Sequence, residues 1–215
     1  MDYPREVFIM PSDKVNICLV LKTGGDYTME YVFKLVEGIR RNTTRPNRIT
    51  LLTDSHACEI PIGISVFPLK RGFAGWWSKL EIFDYFVNKK TVYIDLDTVI
   101  NDNIDWLLKI DSKFAMLSDL MKPQFAASGI MLFNGDFRFL ANGFKMEMEK
   151  DFKRTGNWGD QGYISKELGL TPERIQNYKS GEIASYKKSN PNDKKRASII
   201  CYHGKPRPHH TGWAV

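Results

Sequence analysis

Two aspartates, Asp95 and Asp97, end a short apolar run at Thr91–Ile94. That run is too short for a helix, is rich in β-branched residues and follows polar residues 88–90, so it predicts a buried strand. Because side chains alternate along an extended chain, both carboxylates share one face and Leu96 points into the core. Neighbouring carboxylates repel each other, and a divalent cation between them removes that cost. The pair therefore predicts a metal site, while an N-cap aspartate followed by a solvated turn residue stays open as the alternative.

A second candidate group, His203-Gly204-Lys205, follows another apolar run at residues 198–202. A histidine at the end of a strand can bind a metal ion through its neutral imidazole, and Gly204 lets a ligand approach the backbone closely. Lys205 offers a point charge to a phosphate. A structural histidine is the alternative, but the nearby aspartate pair favours a ligand.

Four further positions could contact a ligand, each with a purely structural alternative. Ser128-Gly129 begins an apolar run, where the glycine either marks a bulge or leaves room for a sugar ring. Asp160 opens a predicted helix and could serve only as its N-cap. Lys79 is either a surface lysine or a diphosphate contact. Trp76 and Trp77 could both be core residues, or an exposed one of them could stack on the apolar face of a sugar.

The elements that position these residues alternate between strands and helices. Period-two and helical apolar patterns predict strands at 16–21, 48–52, 64–67 and 91–94, with helices at 28–41 and 78–86. This β-α-β-β-α-β order predicts an α/β fold with a largely parallel sheet. The remaining chain predicts helices at 104–110, 137–150 and 160–168 and strands at 114–117, 129–134 and 198–202. The lysine-, serine- and asparagine-rich stretch 179–197 predicts a mobile loop.

Composition is that of a globular protein, with 215 residues, 42% apolar and 13% aromatic, and we expect one domain over residues 1–215. The net charge of +6 suits a phosphate-bearing ligand. Basic residues are spread along the chain without a nucleic-acid-binding motif, so nucleic acid is not expected as a partner. The N-terminal MDYPREVFIMPSDK lacks the apolar core of a signal peptide, and no apolar run is long enough to cross a membrane. We therefore expect a cytoplasmic protein.

Five motifs in order give the chain a family resemblance: LKTGGDYT, WSKLEIFDYFVNKKTVYIDLDTVI, ASGIMLFN, GDQGYI and YHGKP. Together they resemble glycosyltransferase family 8 and its glycogenin- and galactosyltransferase-like relatives, over about residues 16–209. The resemblance implies the GT-A fold, a mostly parallel central sheet flanked by helices. One motif departs from the family, because its frequent H-x-x-G-x-x-K-P-W is contracted here to H-G-K-P-R-P.

The resemblance also implies a site for a nucleotide-sugar donor and a metal. It makes Asp95, Asp97 and His203 ligands of Mn²⁺, with Mg²⁺ also possible. The donor that the resemblance implies is a UDP-sugar. Its implied contacts come from Leu21, Lys22, Thr23, Tyr27, Asp54, Lys79, Leu96, Asp119, Ser128, Gly129, Gly204 and Lys205. Among these Tyr27 would stack on uracil. The implied catalytic residues are Asp160, Gln161 and Lys205.

The implied reaction moves a sugar to an acceptor hydroxyl on a glycan, a protein or a small molecule, with retention of the anomeric configuration. Two alternatives stay open. Asp95-Leu96-Asp97-Thr98-Val99 also fits the D-x-D-x-T/V signature of haloacid-dehalogenase-like phosphatases, in which Asp95 would be the nucleophile. That signature normally sits on the first strand, whereas here a whole β-α-β-β-α region precedes it. The third possibility is a non-catalytic protein that binds sugar nucleotides.

Overall fold

The computed structural model describes residues 14–56, 59–154, 159–169 and 171–213. The prediction that residues 1–13 hold no signal peptide therefore lies outside the described residues. Within the described ranges, seven strands form a central sheet and three form a smaller one. The central strands are β1 (Val15–Leu21), β2 (Asn47–Thr53), β3 (Ser65–Pro68), β4 (Thr91–Ile94), β6 (Phe114–Ser118), β7 (Ala126–Phe133) and β8 (Glu173–Arg174). The smaller sheet holds β5 (Thr98–Ile100), β9 (Ile183–Ser185) and β10 (Ile199–Cys201).

The order of strands in the central sheet is β3-β2-β1-β4-β7-β6-β8. Strands β1 to β4 are parallel to one another, and so are β6 and β8. Among the described strands of the central sheet, only β7 runs antiparallel to its neighbours, which are β4 and β6. The prediction of an α/β fold with a mostly parallel sheet is confirmed.

The helices lie between the strands, most of them short. They are α1 (Met29–Arg41), α2 (Ile82–Tyr85), α3 (Asp105–Lys109), α4 (Arg138–Gly143), α5 (Glu149–Arg154), α6 (Gly159–Glu167) and α7 (Pro191–Arg196). The described residues also contain four 3₁₀ segments, at Gly75–Glu81, Met146–Met148, Ile175–Asn177 and Pro208–Thr211.

Three predicted elements differ from the structure. The predicted helix 78–86 is a 3₁₀ segment followed by the single turn of α2. The predicted helix 137–150 is interrupted after Gly143, where Phe144 is extended, and glycine weakens a helix at this point. The predicted loop 179–197 is partly regular, because β9 pairs with β10 and α7 begins on the Asn190 side chain, which accepts a bond from the Asp193 N–H at 2.9 Å.

Both faces of the central sheet are covered by apolar side chains. Along β1, Ile17 and Leu19 pack into the cluster that contains α1, whereas Cys18 and Val20 pack into an opposite cluster rich in aromatic rings. This alternation follows from the period of two in a strand. The sheet is thus rigid at its centre, which fixes the residues that follow its strands.

The smaller sheet returns the end of the chain to the aspartate pair. Antiparallel pairing places Cys201 of β10 opposite Thr98 of β5. Beyond that pair, the Tyr202 N–H donates to the Asp97 carbonyl at 3.1 Å. The residues after β10 therefore lie beside the turn that carries Asp95 and Asp97, although they are far away in sequence.

Candidate functional site

A cavity of about 680 Å³ opens at the carboxyl ends of β1 and β4, where ligands of open α/β sheets bind. Most of the residues predicted from the sequence line it together. They are Lys22, Thr23, Tyr27, Lys79, Asp95, Leu96, Asp97, Asp119, Ser128, Gly129, Asp160, Gln161, His203 and Gly204.

Three predicted site residues do not line the cavity. Leu21 is a core residue, 2% exposed. Asp54 lies behind the wall and accepts hydrogen bonds from Lys22 Nζ at 2.5 Å and the Thr23 N–H at 2.8 Å. Those bonds outweigh the opposing effect of burial and hold the Asp54 pKa below its usual range. Lys205 is exposed and lies outside the lining, next to Gly204.

Lys79 is the buried cation of the cavity wall. Its side chain is 6% exposed, and Nζ lies 3.0 Å from Asp95 Oδ1, 3.2 Å from Asp160 Oδ2 and 3.2 Å from Ser128 Oγ. Burial lowers the lysine pKa, but the carboxylates Asp160 and Asp95 outweigh it and raise the pKa above its ordinary value. Lys79 therefore carries a permanent charge, and the alternative of a surface lysine is wrong.

The two carboxylates that share Lys79 have raised pKa values. Burial is the main cause for both Asp95 and Asp160, and the charge of Lys79 only partly offsets it. Asp160 also accepts a hydrogen bond from Ser128 Oγ, and Asp95 accepts one from the Tyr93 hydroxyl. Asp160 thus points into this network rather than serving only as a helix cap.

Asp97 belongs to a different group of side chains. Its Oδ2 accepts hydrogen bonds from the Tyr27 hydroxyl at 2.8 Å and from Arg207 Nη1 at 2.8 Å. Burial raises the pKa of Tyr27, and the charge of Asp97 raises it further, so the phenol stays protonated. Asp95 and Asp97 lie in the turn between β4 and β5, while Leu96 between them is 2% exposed and packs into the core as predicted.

His203 is held at the edge of the cavity by the smaller sheet. Its Nε2 lies 2.6 Å from Ser185 Oγ, and its carbonyl accepts from Lys187 Nζ at 2.8 Å. Burial, followed by the charge of Lys187, lowers the His203 pKa below its ordinary value. The imidazole is therefore neutral near pH 7.

The three predicted metal ligands do not surround one ion in this arrangement. Lys79 contacts both Asp95 oxygens, Arg207 is paired with Asp97, and His203 Nε2 is bonded to Ser185. Within the described residues, no three His, Cys, Asp or Glu side chains converge as metal ligands. As placed, these three side chains do not fit a shared Mn²⁺ ion, and the Mn²⁺ site stays a prediction.

Polar side chains also form the part of the cavity wall that contains Asp119 and Gln161. Gln161 Nε2 reaches Asp119 Oδ2 at 3.5 Å, and Asp119 Oδ1 accepts from the backbone N–H groups of Met121 and Lys122 at 2.7 and 2.9 Å. At the rim, the Trp76 side chain lines the cavity and is 54% exposed. This wall can offer donors and acceptors to hydroxyl groups and an apolar ring face beside them.

Arg207 is the main cavity residue that the sequence does not predict. The signal was the contracted motif H-G-K-P-R-P, which places an arginine two residues after Lys205. Tyr93 was also missed, because it lies inside the buried strand β4 and only the structure shows its hydroxyl on Asp95.

No protein-family model and no curated protein sequence matches the chain. Its structure, in contrast, is similar to those of several glycosyltransferases. The glycosyltransferase GlyE of Streptococcus pneumoniae matches with a TM-score of 0.60 and 13% identity over 91% of this chain. The galactosyltransferase LgtC, in complex with donor and acceptor sugar analogs, matches with a TM-score of 0.63 and 14% identity over 90% of this chain. The bifunctional glycosyltransferase WbbM matches with a TM-score of 0.63 and 14% identity over 93% of this chain.

The matches differ in how much of each neighbour they cover. This chain spans 88% of LgtC but only 56% of GlyE and 47% of WbbM. At such low identity the likeness concerns the fold. The chain therefore has the GT-A fold of these glycosyltransferases, as the order of its motifs predicts.

Proposed function

We propose that the chain is a glycosyltransferase that moves a sugar from a nucleotide-diphosphate sugar to an acceptor hydroxyl. One observation carries the proposal: in a fold shared with glycosyltransferases, a single cavity joins Tyr27, the Asp95–Asp97 turn and the polar wall with Asp160 and Gln161. The LgtC structure contains donor and acceptor sugar analogs, and a cavity of about 680 Å³ has the size of a small-molecule site.

The nucleoside end of the donor is assigned to the loop after β1, with UDP as the nucleotide. Lys22 and Thr23 are held there by Asp54, and Tyr27 offers its ring to the base. Asp54 acts from behind the wall by fixing this loop. The assignment of uracil rests on the resemblance to family 8.

The donor sugar is assigned to the wall formed by Lys79, Asp119, Ser128, Asp160 and Gln161. The bond between the anomeric carbon and the diphosphate oxygen breaks as the acceptor oxygen bonds to the same carbon, and the proton of the acceptor hydroxyl passes to the leaving diphosphate. Positive charge then grows on the sugar and negative charge on the leaving diphosphate. Preorganised charges stabilise such a transition state most when they face the positions where charge develops. The Asp160 carboxylate suits the sugar, and retention of the anomeric configuration completes the proposal.

The acceptor is assigned to the rim of the cavity near Trp76. An aromatic ring that is 54% exposed in a cavity offers a stacking face to the apolar side of a sugar. A glycan, a glycosylated protein or a small glycoside fits this chemistry. In the described residues no helix is both long and apolar enough to cross a membrane, and the cytoplasmic location stays a prediction.

The donor is expected to reveal itself by stabilising the protein. A ligand at about 100 times its dissociation constant adds about 2.7 kcal/mol to the free energy of unfolding. A thermal-shift panel of UDP-, GDP- and ADP-sugars measures this directly, and UDP-sugars are expected to give the largest shift. Release of nucleoside diphosphate on addition of an acceptor then measures transfer. Binding without release across a broad acceptor panel would instead support the non-catalytic alternative.

Truncating Tyr27 is expected to weaken UDP binding. Loss of base stacking in Tyr27→Ala costs about 1–2 kcal/mol in affinity, as in other aromatic contacts to bases. Tyr27→Phe, which keeps the ring and loses the hydroxyl's bonds to Asp97 and Arg207, is the matched control and loses less. Calorimetric titration with UDP and GDP measures both effects. Tighter binding of GDP than of UDP by the unmodified protein would contradict the assignment of uracil.

The phosphatase alternative receives no support from the site. Asp95 follows β4 rather than the first strand, and Lys79 and the Tyr93 hydroxyl are bonded to its carboxylate. If Asp95 were the nucleophile, a phosphorylated substrate would label it as a phospho-enzyme, and Asp95→Asn would abolish that label. Absence of labelling by a phosphorylated substrate is the expected result.

A further inference from the structure

The Arg207 guanidinium lies against the carboxylate where the sequence predicts a metal ion. Its Nη1 is 2.8 Å from Asp97 Oδ2, and its Nη2 is 3.3 Å from Asp26 Oδ2. The Arg207 side chain is 18% exposed and lines the cavity. A positive charge therefore lies on the cavity wall, in contact with the Asp97 carboxylate.

Contacts with Tyr27 fix the plane of this guanidinium. The guanidinium carbon lies 4.7 Å from the centroid of the Tyr27 ring, and Nη1 donates to the Tyr27 hydroxyl. Stacking on an aromatic ring and pairing with a carboxylate leave arginine little freedom to turn. The Nε–H of Arg207 is buried and has no hydrogen-bond acceptor among the described residues. Because this donor is enclosed by protein, a ligand in the cavity can be reached only by the Nη1 and Nη2 groups of Arg207.

The backbone places Arg207 here because the chain reverses sharply after β10. His203 and Gly204 both adopt left-handed conformations, with φ of 36° and 95°. After this reversal, Arg207 begins the 3₁₀ segment Pro208–Thr211, whose Pro208 is buried. The same reversal leaves Lys205 exposed and outside the cavity lining.

We propose that Arg207, rather than Lys205, binds the donor's diphosphate and takes the place beside Asp97 that the sequence predicts for Mn²⁺. The inference rests on the proposed function and makes nucleoside diphosphate binding independent of a divalent cation. A planar guanidinium matches two phosphate oxygens at once, whereas a lysine acts as a point charge. Arg207 also lies between the proposed sites of the base and the sugar. It stacks on Tyr27, which is assigned to the base, and it pairs with Asp97, which shares a turn with Asp95.

The test is calorimetric titration with UDP, in EDTA and in MnCl₂. Three proteins are compared: the unmodified protein, R207A and K205A. The unmodified protein is expected to bind UDP with affinities that agree within about threefold in the two buffers. R207A is expected to bind about 10- to 100-fold more weakly, the range for losing a charged hydrogen bond. The loss in K205A is expected to be smaller than the loss in R207A.

Arg138→Ala is the matched control, because Arg138 pairs with Asp136 in an ion pair outside the cavity lining. It is expected to bind UDP like the unmodified protein. If R207A does not fold, R207K decides. It keeps the charge beside Asp97 but loses the fork, so weaker UDP binding supports the inference and unchanged binding overturns it.

Two outcomes separate this inference from the proposed function. UDP binding that requires MnCl₂, or a larger loss in K205A than in R207A, overturns the inference and leaves the transferase proposal standing. If UDP, GDP and ADP all fail to bind in both buffers, the transferase proposal and the inference are both contradicted.

Discussion

Replacing Lys79 by methionine is expected to lower the free energy of unfolding by about 3–5 kcal/mol, the cost of leaving buried charge without its partner. Lys79 is 5% exposed and lies within 3.2 Å of carboxylate oxygens of both Asp95 and Asp160. Methionine retains most of the volume, so the loss comes from the charge. Urea unfolding followed by circular dichroism measures it. Lys89→Met is the matched control, because Lys89 is exposed, and its effect is expected within about 0.5 kcal/mol.

The Lys79→Met deficit is also expected to depend on pH. The folded-state pKa of Asp160 lies above its ordinary value of 3.8, so the folded state binds more protons than the unfolded state between those two values. Stability therefore falls as pH rises through that window. Removing Lys79 takes away the charge that lowers this pKa, which widens the window. The deficit is expected to be larger at about pH 8 than at about pH 5. Equal deficits at both pH values would contradict the assignment of Lys79 as the counter-charge of the buried Asp160.

The residues at strand ends could be predicted from the sequence for a physical reason. Apolar runs such as Thr91–Ile94 are recognisable, and polar residues directly after buried parallel strands must lie at one edge of the sheet. Asp95 and His203 were each predicted directly after an apolar strand, and both line the cavity. The order of elements likewise predicted the parallel part of the sheet.

Positions that depend on loops or tertiary contacts could not be predicted from the sequence. Arg207 reaches Asp97 only through the left-handed reversal at His203 and Gly204, and histidine gives little local signal for that conformation. Strand β9 has three residues and is formed by pairing with β10 rather than by its own pattern. Lys79 lies on a short 3₁₀ segment, where helical periodicity does not apply. Its burial is explained by its contacts with carboxylates from distant parts of the chain.

Replacing Asp160 by asparagine is expected to reduce the rate of sugar transfer by about 10²–10³-fold, the usual loss when one preorganised electrostatic group is removed. The Asp160 side chain lines the cavity and is fixed by Ser128 and Lys79, so its charge is oriented before the donor binds. Because positive charge appears on the sugar only in the transition state, kcat is expected to fall much more than the donor's KM rises.

The Asp160→Asn experiment compares initial rates of nucleoside diphosphate release with rates for Asp84→Asn. Asp84 forms an ion pair with Arg71 at 2.6 Å outside the cavity lining, so its loss tests the general effect of removing a paired carboxylate. Burial raises the Asp160 pKa; the unmodified enzyme therefore loses activity as falling pH protonates Asp160, and the residual rate of the asparagine variant lacks this limb. If Asp160 were purely structural, its replacement would lower the free energy of unfolding and leave kcat of the folded variant unchanged. Retention of kcat within about threefold would remove Asp160 from the proposed mechanism.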